Sequence, residues 1–194
     1  MLNKLRYIAL IGLFAATVSQ ADLVIDVQGV AQPTPVAVVP FGWEGNGSSM
    51  PLDVSKVITD DLKRSGRFAP ISEDKMLQKP TDGADVDFQD WRFVGVEAVV
   101  VGKVSRNPDN TYELQFQLLD VFRGEQLFGY RMPSVTGATM RGAAHRAADM
   151  IYEKLTGIKG VFGTKVAYVT AKQQGEGRLY SLIVSDQDGF NEHT

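Results

Sequence analysis

Few residues in this sequence have side chains that could do chemistry. It contains no cysteine and only two histidines, His145 and His193. The lack of cysteine excludes disulfides, a thiol nucleophile and thiolate metal sites. Two histidines are too few for a histidine-rich metal centre or for a mechanism that needs several imidazoles. The sequence therefore predicts no metal site and no bound cofactor.

His145 and Asp149 have the spacing of a side-chain pair on one face of a helix. In that arrangement Asp149 could orient the imidazole, as the acid of a nucleophile–histidine–acid triad does. The third member is missing, because residues 47–51 (GSSMP) do not fit the Gly-x-Ser-x-Gly elbow. A hydrogen bond on the helix surface is the simpler interpretation, and we predict no catalytic residues.

Two loops resemble ligand-binding loops but lack essential residues. Gly45–Met50 (GNGSSM) has neither the lysine of a phosphate loop nor the third glycine of a dinucleotide fingerprint. Asp186–Gly189 (DQDG) resembles part of a calcium loop but fails the EF-hand spacing, which favours a tight turn. Asp60 and Asp61 are adjacent on a predicted helix, so they point in different directions and do not form a carboxylate pair.

Three aromatic side chains fall in predicted loops or at the edge of a helix. They are Phe41, Trp43 and Trp91. Packing in the core or at its rim explains them better than a ligand-binding box does.

Hydrophobic periodicity predicts an α/β fold with a mixed sheet and two main helices. Apolar runs at Val36–Val39 and Ala98–Val104 are typical of buried strands. Helical spacing predicts helices over Asp53–Arg64 and Met140–Leu155. Alternation over Thr111–Leu119, and a further strand over Gln126–Met132, predict an antiparallel meander. Shorter elements are predicted at Phe68–Ile71 (strand), and at Glu73–Leu77 and Phe88–Val94 (helical).

The residue pattern changes after Gly157, where a glycine-rich connector leads into predicted apolar strands from Lys165 to Ser185. A turn around Gly175–Gly177 makes these strands a hairpin. An isolated hairpin is marginal in water. We therefore expect the chain to be the front part of a longer protein, cut just inside a second domain.

The first 21 residues have the pattern of a secretory signal peptide. Lys4 and Arg6 precede an apolar or small run, Ile8–Val18. Eleven helical residues span about 16 Å, against about 30 Å for a bilayer core. We predict cleavage between Ala21 and Asp22 and export of the mature chain.

The charge balance argues against a nucleic-acid partner. The formal net charge is −3. Removal of the leader takes away two cations and no acidic residue, so the mature chain carries −5. Nucleic acids require a basic surface.

A strand-forming segment opens the mature chain and ends at two prolines. Its side chains alternate in the way a strand requires, and we predict a hinge at Pro33 and Pro35. Such an arm can add to the sheet edge of another protein, or it can be an edge strand of its own sheet; the pattern favours neither. The arm comprises Asp22, Leu23, Val24, Ile25, Asp26, Val27, Gln28, Gly29, Val30, Ala31 and Gln32.

Several motifs together resemble one family over the whole mature chain. The strongest are 153–160 (EKLTGIKG), 167–169 (AYV) and 185–189 (SDQDG). Supporting segments are 24–26, 38–41, 60–62, 65–66 and 99–102. Their order and spacing are similar to those of the TolB family, periplasmic components of the Tol–Pal cell-envelope system.

This resemblance implies a division of the chain. A signal peptide (1–21) and an arm with its hinge (22–35) would precede an α/β domain similar to anticodon-binding domains (36–158). Residues 159–194 would begin a six-bladed β-propeller whose remaining blades are absent. The likeness to anticodon-binding domains concerns topology only and implies no RNA.

The resemblance also implies a function, that of a non-enzymatic adaptor in the periplasm. The arm, Asp22 to Gln32, would bind the C-terminal domain of TolA, and the propeller would bind the lipoprotein Pal. Together these contacts would maintain the outer membrane and draw it inward at cell division. Val27–Gln28 makes the arm one residue longer than the family pattern, and a one-residue slip reverses which side chains face a partner.

An exported hydrolase or peptidase with an accessory propeller is the alternative. It would need its nucleophile, base and acid in the part of the protein that this sequence lacks.

Overall fold

The computed structural model describes residues 32–45 and 49–194. The predicted leader, arm positions 22–31 and residues 46–48 of the glycine-rich loop lie outside the described residues. The elements in chain order are β1 (Thr34–Val38), β2 (Gly42–Glu44), α1 (Val54–Arg64), β3 (Phe68–Pro70), α2 (Phe88–Val94), β4 (Ala98–Arg106), β5 (Tyr112–Asp120), β6 (Glu125–Val135), α3 (Met140–Thr156), β7 (Lys165–Gln174) and β8 (Gly177–Asp186). Short 3₁₀ turns occupy Glu73–Lys75 and Gly83–Asp85.

The main sheet is mixed. Its strand order is β3-β1-β4-β5-β6, and β2 pairs with β4 beyond the end of β1. The contacts of β1 with β3 and β4, and of β2 with β4, are parallel, whereas β4, β5 and β6 form an antiparallel meander. Strands β7 and β8 form a separate antiparallel hairpin. The predicted mixed α/β sheet is confirmed.

Local signals set the ends of the main helices. Asp53 caps α1 by accepting a hydrogen bond from the Lys56 backbone N–H at 2.9 Å. Gly157 ends α3 with φ +72°, a left-handed conformation that glycine adopts without strain. Both predicted helices are confirmed to within a residue at each end.

Apolar side chains fill both faces of the sheet. One face packs against α1 and α3, through residues such as Ile58, Phe116 and Ile151. The other face packs against α2, where Trp91 is fully buried beside Val99 and Val101. Of the three aromatics, Trp91 and Phe41 are core residues, and Trp43 packs against the core.

Two boundaries differ from the prediction. Pro35 is the second residue of β1 rather than part of a hinge: its carbonyl accepts the Glu97 N–H at 2.8 Å. Proline is tolerated at the start of a strand, where its missing N–H removes no ladder bond, so any hinge must precede Thr34. The predicted loop that contains Phe41 and Trp43 is also not all loop, because Gly42–Glu44 forms β2 and pairs with β4 after Pro40.

Candidate functional site

The structure reaches only the last residue of the predicted arm. Gln32 and Pro33 are exposed and lead directly into β1. The other predicted partner-binding residues, 22–31, lie outside the described residues. Their contact with TolA stays a prediction.

A buried histidine between two carboxylates is the most developed polar site in the described chain. His145, on α3, is 1% exposed. Its Nδ1 lies 2.6 Å from Oδ2 of Asp61 on α1, and its Nε2 lies 3.3 Å from Oδ2 of Asp188, in the turn after β8. We call Asp61, Arg141, His145, Gln187 and Asp188 the His145 cluster. It joins the α/β domain to the terminal hairpin.

Both carboxylates of the cluster have further partners. Oδ1 of Asp61 accepts hydrogen bonds from the Arg64 guanidinium at 2.9 Å and from the Gln187 amide at 3.1 Å. Oδ2 of Asp188 accepts from Nε of Arg141 at 2.9 Å and also from its Nη2. Buried charges are stable only when they are paired in this way. The guanidinium of Arg141 also stacks on the Phe190 ring, 3.4 Å from its centroid.

The predicted pairing of His145 with Asp149 is wrong. Asp149 instead accepts hydrogen bonds from the backbone N–H groups of Phe162 at 2.6 Å and Gly163 at 3.1 Å. A Cβ on Gly160 would lie 2.4 Å from Oδ1 of Asp149. Asp149 therefore holds the connector after α3, since the free N–H groups there need an acceptor and His145 faces α1.

The cluster does not have the composition of a catalytic triad. In residues 32–45 and 49–194, the hydrogen-bond and ion-pair partners of the imidazole are carboxylates, and no hydroxyl group bonds to it. The ring is also closed to solvent. This geometry suits an electrostatic link between two parts of the fold.

Three side chains of the types that ligate metal ions lie close together. Donor atoms of His145, Asp186 and Asp188 lie within 4.8 Å of one another. However, Arg141 already binds Asp188, while Lys165 and the Asn191 amide bind Asp186. Because side-chain cations neutralise both carboxylates, this donor set does not fit a metal site.

The two acidic residues of the β8 turn have lowered pKa values. Burial alone would raise the pKa of Asp188, but hydrogen bonds from Arg141 and the Phe190 N–H, and the charges of Arg141 and His145, hold it below the ordinary 3.8. Burial likewise opposes the lowered pKa of Asp186, which Lys165 and Asn191 hold below 3.8. Both groups are therefore carboxylates at neutral pH.

Acid is expected to weaken the attachment of the hairpin. A carboxyl whose pKa is lower in the folded state stabilises the fold above its unfolded pKa, and that stability is lost as the pH falls through the folded pKa. When the pH is lowered below about 4, the free energy of unfolding should therefore decrease. Chemical denaturation across this range checks it, with Asp188→Asn as the control that should show a shallower fall. Identical pH profiles would contradict the assignment.

A signal for the cluster is present in the sequence, although the i,i+4 spacing favours Asp149 as the partner of His145. Asp61 follows Val54 by seven residues and Ile58 by three, so it occupies the apolar stripe of α1. His145 similarly lies beside Ala144 in the buried stripe of α3. A charged group in such a stripe indicates a buried partner, but the spacing does not identify it.

Two other predictions about acidic residues are confirmed. Asp60 is exposed and pairs with Lys56 at 3.0 Å, whereas Asp61 is fully buried, so the adjacent carboxylates point apart. Asp186–Gly189 forms a tight turn: the Gly189 N–H donates to the Asp186 carbonyl at 2.9 Å, and φ of Gly189 is +84°.

Apolar side chains on the terminal hairpin are largely exposed. Their exposed fractions lie between 44% and 62% for Val166, Val169, Leu179, Tyr180 and Leu182. The register of the two strands places Val169, Tyr180 and Leu182 together on one face of the hairpin, and Val166 and Leu179 on the other. Exposed apolar side chains grouped on one face are typical of an interaction face. None of the helices in the described ranges has the length and apolar character needed to cross a membrane.

Comparison with known proteins gives one consistent result. The family model described as the TolB amino-terminal domain matches residues 23–127. "Tol-Pal system protein TolB" of Thioalkalivibrio sulfidiphilus is 44% identical over 177 residues, which cover 91% of this chain and 40% of that protein. The protein of the same description from Nitrosococcus oceani is 46% identical over 176 residues, covering 90% and 40%.

A solved structure agrees with these sequence matches. The crystal structure of TolB from Acinetobacter baumannii superposes with a TM-score of 0.71 at 31% identity, over 84% of this chain and 38% of that one. The chain thus spans about two fifths of the length of the curated relatives it matches. Sequence and fold together place the chain in the TolB family, as a Tol–Pal system component.

Proposed function

We propose that this chain is the front part of a periplasmic adaptor that links TolA to the lipoprotein Pal. The observation that carries the proposal is the match to Tol-Pal system proteins over nine-tenths of the chain. The predicted signal peptide supports export to the periplasm. The adaptor would help to keep the outer membrane intact and to draw it inward at division.

The arm, Asp22–Gln32, is the proposed TolA-binding segment. Its backbone would add a strand to the partner's sheet, with each hydrogen bond contributing about 0.5–1.5 kcal/mol net. Leu23, Ile25 and Val27 would each contribute about 1.5–3 kcal/mol when buried. Ordering the arm costs about 1–2 kcal/mol per residue. The net free energy of binding is therefore modest, which suits a contact that must be made and released.

The position of the arm supports this role. Its last residue, Gln32, is exposed, and the chain enters β1 two residues later. Strand β1 is hydrogen-bonded on both sides, to β3 and β4. A partner that binds the arm would therefore be connected to the mixed sheet, through β1, by a short linker.

The β7–β8 hairpin is the proposed start of the propeller, which would bind Pal. Its exposed apolar residues need a covering surface. The relatives are about two and a half times as long as the matched region, which leaves room for the remaining blades.

Deletion of Asp22–Gln32 tests the proposed function. We expect affinity for the C-terminal domain of TolA, measured by isothermal titration calorimetry, to fall at least about 100-fold. The circular dichroism spectrum should be unchanged, because the described fold begins at β1. Unaltered affinity after this deletion would refute the proposal.

A matched pair of triple variants tests the register of the arm. One variant replaces Leu23, Ile25 and Val27 by serine, and the other replaces Val24, Asp26 and Gln28 by serine. Alternate side chains of a strand point to opposite faces, so the first variant should lose most of the binding and the second little. The reverse ranking would show that the extra residue shifts the register, and equal losses would contradict binding as a strand.

A further inference from the structure

Strand β6 forms a free edge of the main sheet. The strand order β3-β1-β4-β5-β6 places it last, and its only strand partner in the described residues is β5. Beyond that pairing, the backbone of Tyr130–Val135 makes no hydrogen bond to another backbone group of residues 32–45 and 49–194. An edge of this kind presents unpaired N–H and C=O groups, to which another extended chain can bind.

Pro133 does not close this edge. Its carbonyl accepts a hydrogen bond from the side-chain amide of Asn107, in the β4–β5 turn, at 2.8 Å. The N–H and C=O of a strand residue point to the same side, so the missing N–H of Pro133 removes a donor from the β5 side and none from the free edge. The pairing with β5 is regular over Tyr130–Met132, so the free edge has ordinary strand geometry there.

A groove runs along the free edge. Its volume is about 800 Å³, and six consecutive residues of β6, Tyr130–Val135, line one wall. Neighbouring side chains of a strand point to opposite faces, so a cavity that touches six residues in a row lies beside the strand and not over one of its faces. At about 3.3 Å per residue this wall is about 20 Å long, enough for an extended segment of about six residues.

The opposite wall allows another backbone to approach closely. One face of α3 and the glycine-rich connector after it form this wall. Its small residues are Ala138, Gly142, Ala143, Gly160 and Gly163. A Cβ on Gly142 would meet nothing within 4 Å, and Val161, which is 64% exposed, adds an apolar contact.

The groove has a positive net charge. Four cationic and two acidic side chains line it, which gives +2 in a chain whose net charge is −3. Both acidic groups already have donors, since Asp149 binds the connector N–H groups and Asp186 binds Lys165. Arg146 and Lys159 are exposed and form no ion pair in the described part of the chain. Cations that lack a partner beside a groove favour an acidic ligand.

We propose that this space between Tyr130–Val135 and α3 with its connector, the β6 groove, is a docking site for an extended acidic segment of another protein. The backbone of the segment would add a strand to β6, and its acidic side chains would pair with Arg146 and Lys159. Main-chain hydrogen bonds supply affinity in such a complex, and the charges supply selectivity. This contact would be separate from those proposed for the arm and the propeller.

Binding of a synthetic peptide to the 194-residue chain tests the proposal. The probe is a blocked ten-residue peptide in which aspartate alternates with valine and threonine, followed by fluorescence anisotropy. One matched probe carries lysine in place of aspartate, and another carries N-methyl groups on four consecutive central backbone nitrogens. We expect saturable binding of the first probe and at least about tenfold weaker binding of the other two. Absence of binding, or equal binding of the N-methylated probe, would overturn the proposal.

Charge-reversal variants locate the bound probe. Arg146→Glu and Lys159→Glu should each weaken its binding at least about fivefold. Lys154→Glu is the control, because Lys154 is an exposed cation of α3 that does not line the groove, and its effect should stay below about twofold. Bound probe should also slow amide hydrogen exchange in Tyr130–Met132. Equal losses in the Arg146 and Lys154 variants would indicate general charge attraction and overturn the proposal.

Two further results would assign the groove to a different occupant and also overturn the proposal. Binding of the probe that appears only after deletion of residues 22–31 would assign the groove to the arm of this chain. Dimerisation that rises with concentration in analytical ultracentrifugation, and that Arg146→Glu abolishes, would assign it to a second copy.

Discussion

Replacement of Asp61 by alanine is expected to lower the free energy of unfolding by about 3–5 kcal/mol, the usual effect of removing one partner from a buried ion pair. The carboxylate is fully buried and serves three donors: His145, Arg64 and Gln187. Its loss leaves the imidazole buried against an apolar methyl group. Urea denaturation followed by circular dichroism measures the change.

Asp60 provides the matched control, because it is the next residue of the same helix. It is exposed and forms an i,i+4 pair with Lys56, and such pairs contribute about 0.3–0.5 kcal/mol. The free energy of unfolding of Asp60→Ala should therefore be close to that of the wild type. Asp61→Asn should fall between the two alanine variants, since the amide keeps an acceptor oxygen but loses the charge. Equal destabilisation by Asp60→Ala and Asp61→Ala would contradict the cluster.

Replacement of Trp91 by alanine is expected to have the second large effect, a decrease of about 3–5 kcal/mol in the free energy of unfolding. Trp91 is the largest fully buried side chain and packs under the strands opposite α1 and α3. Its indole N–H has no hydrogen-bond partner in the described chain, so the loss comes from packing and not from a broken hydrogen bond. Thermal and urea unfolding report the change.

Phe93 is the control for this variant. It belongs to the same short helix, but its side chain is 85% exposed. Phe93→Ala should change stability by less than about 0.5 kcal/mol, as surface substitutions usually do. If Phe93→Ala were the more damaging of the two, the packing of α2 against the sheet would be wrong.

Local features allowed much of the fold to be predicted. The helical spacing of apolar residues links positions three and four apart, so both main helices are predictable from neighbouring residues alone. The cap at Asp53 and the glycine at 157 likewise act on the residues beside them. The buried strand β4 was recognisable because sheet faces covered on both sides require unbroken apolar runs.

Contacts between distant parts of the chain were not predictable in this way. His145 and Asp61 are 84 positions apart, and their pairing depends on how α1 and α3 pack together. The i,i+4 rule selected Asp149, which is near in sequence but turns to the connector. Strand β2 was missed because its three residues, Gly42–Glu44, carry no periodic pattern and form a strand only beside β4.

The placement of β1 has a mechanical consequence. Tension applied to the chain before Thr34 would act along the axis of this strand, parallel to β3 and β4, with which it is paired. In that direction the cross-strand bonds are loaded in shear and must break together, whereas a strand peeled from a sheet edge loses them one at a time. A pull along the axis of β1 would therefore be opposed by the hydrogen bonds to β3 and to β4 at the same time.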